Sequence, residues 1–174
     1  MTLKYLRNVS VEILEIGSWE GRSTIFFLKY LTDSNITCID TFSGGIENVA
    51  DPKQSEELPF IEQRFDRNLA EYGDRVTKIK GRSDVSLGRI IPTGKKYDLI
   101  YVDGSHERDA VMIDTLMAWQ LIKAGGYLIW DDYGGGSDAS DAERVRSAID
   151  VFLTWHYDEL ILIHKGYQII VQKK

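Results

Sequence analysis

A chain of 174 residues fits one domain, 1–174, and its 43% hydrophobic and 28% charged content is that of a globular protein able to bury a core without disulfides. A net charge of -6 without a Lys/Arg run argues against a nucleic-acid partner, and no stretch approaches the roughly 18 apolar residues of a membrane span. The single cysteine, Cys38, excludes a disulfide framework and a cysteine metal cluster and reads as a small buried hydrophobe.

The first nine residues carry Lys4 and Arg7 and then run into a strand pattern with no apolar signal core, which reads as cytoplasmic. Apolar, β-branched runs follow at 11–16, 36–41, 75–80, 97–103, 126–131, 157–164 and 167–173. Helical patterns fill most gaps between them, at 22–32, 59–72, 83–91, 106–123 and 142–155, with Pro59 suited to a first turn and Ser140 and Glu143 at capping-box spacing. This alternation predicts an α/β, doubly wound, mostly parallel seven-stranded sheet with helices on both faces. Only Lys165 and Gly166 separate the last two runs, too few for a parallel crossover, so these strands must form a C-terminal antiparallel hairpin. Two long polar or glycine-rich stretches, 43–58 and 133–141, read as lids or binding loops.

The first strand leads through Glu15-Ile-Gly17-Ser18-Trp-Glu-Gly21-Arg-Ser23-Thr24 into a helix. Glycines at 17 and 21 let such a turn bend sharply and bring backbone N–H groups to a ligand; the spacing is not Gly-x-Gly-x-x-Gly, which argues against a nicotinamide cofactor. Asp40 ends the second strand some 20 residues on, where an acidic residue can accept hydrogen bonds from a ribose. Ser83 opens the helix after the third strand, either as a cap or toward a ligand at the same sheet edge.

Asp103 in Val-Asp-Gly-Ser-His106 and the Asp131-Asp132 pair lie at strand ends. If the fourth and fifth strands are neighbours, roughly 4.8 Å apart, the three carboxylates converge and repel unless one is protonated or a cation such as Mg²⁺, Mn²⁺ or Ca²⁺ sits among them. His106 reads as the start of a helix whose dipole favours the neutral, base-competent imidazole, whereas His156 and His164 read as structural.

Together these segments, with Ile39-Asp40-Thr41-Phe-Ser-Gly44, Tyr97 to His106 and Gly125-Gly-Tyr-Leu-Ile-Trp-Asp-Asp-Tyr133, resemble the class I S-adenosylmethionine-dependent methyltransferases. Within them the chain is similar to the small O-methyltransferase branch that includes the macrocin O-methyltransferases, over roughly 11–171. The resemblance implies a Rossmann-like fold and a cofactor set of Glu15, Gly17, Ser18, Gly21, Ser23, Asp40, Thr41, Ser83 and Asp103. It places the methionine tail near Glu15 and Gly17, the ribose on Asp40 and the adenine near Ser83. It further implies a divalent metal, Mg²⁺ first, on Asp103, Asp131 and Asp132, with His106 as a base. Only ten residues precede the first strand, so the acceptor site is open, completed by another subunit of a homo-oligomer, or covered by 43–58. The expectation is metal-assisted methyl transfer to the hydroxyl of a small acceptor, with Asp103 and His106 catalytic. The rivals are a catalytically silent S-adenosylmethionine-binding subunit and a nicotinamide oxidoreductase.

Overall fold

The structure is a computed structural model that describes residues 2–45, 49–135 and 139–174. Seven strands form one sheet: β1 (Val11–Ile16), β2 (Ser34–Asp40), β3 (Val76–Lys80), β4 (Tyr97–Val102), β5 (Ile122–Trp130), β6 (Leu160–Lys165) and β7 (Ile169–Lys173). Their order is β3-β2-β1-β4-β5-β7-β6. The first five are parallel, and β7 lies between β5 and β6, antiparallel to both. The C-terminal hairpin therefore does what its short connection requires.

The helices are α1 (Arg22–Tyr30), α2 (Pro52–Glu57), α3 (Ile61–Leu69), α4 (Ser83–Ile90), α5 (Arg108–Leu121) and α6 (Ala139–Trp155). In α3 the buried residues are Ile61, Phe65 and Leu69, spaced four apart with polar residues between, so one stripe meets the sheet. Strand residues alternate faces. On β4, Leu99 and Tyr101 pack with Phe27 and Phe65 beneath α1 and α3, while Ile100 and Val102 pack with Trp119, Ile149 and Phe152 beneath α5 and α6. Phe152 is fully buried, its ring edge-on to Trp119 and Trp130. Phe152→Ala should cost about 3–5 kcal/mol, read from the urea midpoint at unchanged slope.

Three local expectations change. The stretch 43–58, expected to be loop throughout, carries α2, opened by Pro52 with Asp51 accepting from the Lys53 N–H at 3.0 Å. The helix expected from His106 begins at Arg108, with Glu107 as its cap, so His106 stands in the preceding loop. Strand β6 ends at Lys165 and β7 begins at Ile169, which leaves Tyr167 and Gln168 in the hairpin turn. Residues 136–138 of the other expected loop, and the side chains of Ser140 and Glu143, lie outside what is described.

Candidate active site

Chain order reverses between β1 and β4, and open α/β sheets bind ligands in the crevice at such a point, outside the carboxyl ends of the strands. A cavity of about 1190 Å³ lies there. Its lining includes Gly17, Ser18 and Ser23 from the first turn, Asp40 and Thr41 after β2, Ser83 at the start of α4, and Asp103, His106 and Asp131. One sheet edge thus collects most of the residues singled out in the sequence.

Gly17 is needed for two reasons. Its φ of 87° is in the left-handed region, and a Cβ there would run into the Asp103 carbonyl, so the turns after β1 and β4 touch only because position 17 has no side chain. Asp40 holds the same turn from the other side. Its Oδ2 accepts from the backbone N–H groups of Ser18 at 2.8 Å and Trp19 at 2.7 Å, and its Oδ1 accepts from Phe42 N–H at 2.6 Å. With two N–H groups on Oδ2 and one on Oδ1, only Oδ1 keeps a lone pair for a ligand, so the carboxylate is chiefly a brace of the loop.

Glu15 and Gly21 do not line the cavity. Glu15 is fully buried behind it, accepting from the Thr24 hydroxyl and lying 3.5 Å from the buried Cys38 Sγ, and burial pushes its carboxyl up. Gly21 caps α1 with φ 85° against Leu69. Ser83 is the first residue of α4, and its cap position, Arg82, makes no side-chain capping bond, so capping does not account for Ser83.

The acidic cluster forms because β4 and β5 are adjacent and both end just before their aspartates: Val102 and Trp130 are register partners. Asp103, Asp131 and Asp132 offer ligand atoms within 4.8 Å of one another. Successive strand residues would point to opposite faces, but β5 stops at Trp130 and Asp132 has φ 57°, so the chain turns back and both aspartates reach the same place.

The cluster has partners that the sequence did not reveal. Asp131 accepts from Tyr101 Oη at 2.7 Å and from Gln168 Nε2 at 2.9 Å. Asp132 pairs with His106 Nε2 at 3.0 Å and accepts from the Tyr167 hydroxyl. Tyr167 and Gln168 both come from the β6–β7 turn, which sits close over the cluster because Gly135 leaves room for the Tyr167 ring, where a Cβ would collide. Their positions are 35 and 37 residues from the aspartates they hold, beyond any local pattern.

Charge in the cluster is unevenly shared. Burial first, then the Asp131 and Asp132 carboxylates, push Asp103 up to about 8, while the bond to His106 holds Asp132 below the usual carboxylate range. Each carboxylate oxygen keeps lone pairs beyond its protein bonds, so the all-oxygen set suits a hard divalent cation. His164, read from the sequence as buried and structural, is exposed and lines the cavity. His156 follows the end of α6, stacked on Phe152 at 4.3 Å.

Residues 14–133 match the family model described as a methyltransferase domain, and the chain belongs to that family. It is 28% identical over 122 residues to an uncharacterized protein of Acanthamoeba polyphaga mimivirus, covering 69% of this chain and 50% of that one. The chain therefore spans about half the length of that curated relative. Among solved structures it is similar to the MycE methyltransferase of the mycinamycin pathway in complex with Mg, SAH and mycinamycin VI, with a TM-score of 0.65 and 19% identity over 98% of this chain and 47% of that one. It is also similar to the O-methyltransferase NovP, with a TM-score of 0.64 and 20% identity over 96% and 73%. A fibrillarin pre-rRNA processing protein of Methanococcus jannaschii has a TM-score of 0.62 at 13% identity over 94% and 66%. At these identities the likeness is one of fold, the seven-stranded class I methyltransferase sheet with its reversed β7. No helix among the described residues is long and apolar enough to cross a membrane.

Proposed function

We propose that this domain transfers a methyl group from S-adenosylmethionine to a hydroxyl oxygen of a small acceptor, with a divalent cation, Mg²⁺ first, held by Asp103, Asp131 and Asp132. The observation that carries the reading is the meeting of these three carboxylates in the cavity region that also holds the Gly17 turn and Asp40. A cofactor seated on that turn would have its ribose held by Asp40 and its methyl-bearing end directed toward the acidic cluster. The cation would supply Lewis acidity that lowers the pKa of an acceptor hydroxyl. The protein's own part is to align acceptor oxygen and methyl group for in-line displacement, with Tyr101, Gln168 and Tyr167 fixing the aspartates and His106 taking the hydroxyl proton. The Mg and SAH in the MycE complex support the same assignment. The acidic surface, net -6, supports an acceptor that is neither nucleic acid nor membrane. A nicotinamide cofactor finds no support in the family or in the glycine spacing.

Ligand-dependent melting tests the cofactor. S-adenosylhomocysteine should raise Tm in proportion to its occupancy, and NAD should leave it unchanged. Asp40→Ala should lose most of that shift; because Asp40 also braces Ser18 and Trp19, the ligand-free Tm of the variant must be measured beside it. Equal stabilisation by NAD would count against the whole assignment.

A further inference from the structure

The reaction proposed above leaves one buried carboxyl in the cavity without a task. Asp114 lies in α5, is 3% exposed, and lines the arm of the cavity that also carries Arg82, Ser83 and Asp84. The Ser83 hydroxyl lies near it, and burial pushes it up to about 6, so at neutral pH it stands as an acceptor. A carboxylate sunk this far costs stability unless something satisfies it, and one serine hydroxyl leaves most of its acceptor capacity unused. Beside it, α4 begins without a side-chain cap from Arg82; its Val85 N–H is taken by Asp84 Oδ1 at 2.8 Å, which leaves the N–H of Ser83, a residue lining the same cavity, as the donor. The arm therefore presents an acceptor and a donor side by side, fixed on two packed helices.

The inference rests on the S-adenosylmethionine reading. With the ribose at Asp40 and the reacting end toward Asp103 and His106, this arm is the space left for the base. Adenine offers there an amino donor, N6–H₂, next to ring-nitrogen acceptors. We propose that Asp114 selects adenine, its carboxylate accepting the N6–H while the start of α4 donates to a ring nitrogen. Hypoxanthine, of the same shape, inverts the pattern: its O6 would face the carboxylate with lone pair against lone pair. The selection is thus partly repulsive, and a change in one side chain should remove it.

Titration calorimetry with S-adenosylhomocysteine and S-inosylhomocysteine tests this without any acceptor. The wild type should bind the adenine compound roughly 10- to 100-fold more tightly, the range expected for one charge-assisted hydrogen bond. In Asp114→Asn, whose carboxamide can donate to O6, that ratio should fall to about one or reverse. Asp114→Ala removes the acceptor without adding a donor and should also lower the ratio, which keeps the question open to measurement if the amide variant folds poorly. Equal wild-type affinity for the two compounds, or an unchanged ratio in the variants, overturns the role of Asp114 and leaves the cofactor reading standing. Binding of neither compound by the wild type sinks the cofactor reading, and this assignment falls with it.

Discussion

Turnover should fall to background in excess chelator, and Asp103→Asn should lose it as completely, while both preparations still bind S-adenosylhomocysteine. The reason is electrostatic. Asp103 is pushed up to about 8 by burial and by the two neighbouring aspartates, so without a cation the cluster holds a proton through the neutral range. Its folded pKa lies above that of a free carboxyl, so its contribution to stability is fully present below the unfolded value near 4 and is lost as pH rises toward 8. Cation-free wild type should therefore lose stability across that window relative to Asp103→Asn. At pH 8.5 the variant should melt higher by roughly 10 °C, and near pH 4 the two should coincide. Added Mg²⁺ should reverse the order, since only the wild type has all three ligands. Calorimetric melting with and without cation checks the stability half independently of any acceptor. Once an acceptor is known, full activity in excess chelator would refute the metal assignment.

The pieces of this site that could be read from the chain are those with local signatures. The β1 turn carries glycines, and Asp40, Asp103 and Asp131 end apolar runs; the parallel topology then carries these ends to one edge. The hairpin was legible because a connection of a few residues allows one geometry. The partners of the cluster were not. Tyr167 sits in a turn whose reach over Asp132 depends on Gly135, and Gln168 meets Asp131 only because β7 inserts beside β5. Asp114 is hidden differently: a single aspartate within a helix has no signature until α4 packs against that face. The helix expected from His106 starts two residues later, at Arg108, because the charged run Glu107, Arg108 and Asp109 fits a first helical turn as well as a loop and marks no boundary.

That displacement changes the argument for His106 but not the size of the expected effect: His106→Ala should lower the rate by roughly 10² to 10⁴. A helix dipole no longer explains its state. Instead Nε2 lies 3.0 Å from Asp132 Oδ2, and a carboxylate in that position fixes the orientation of an imidazole and stabilises the cation formed when it takes a proton. The same contact permits a second role, in which the histidine only holds Asp132 toward the cluster. The two roles separate on metal binding. Loss of a base leaves Mn²⁺ affinity within about threefold of wild type, whereas loss of a group that orients a ligand typically costs 10- to 100-fold in affinity. A base also imposes the acid limb of the kcat–pH profile, since its protonated form is inactive, and the residual activity of His106→Ala should lack that limb. Rate loss with near-normal Mn²⁺ affinity and a flattened acid limb assigns the proton to His106. Affinity falling in step with rate, with the limb intact, makes His106 a positioning residue for Asp132, and wild-type turnover in the variant removes both roles.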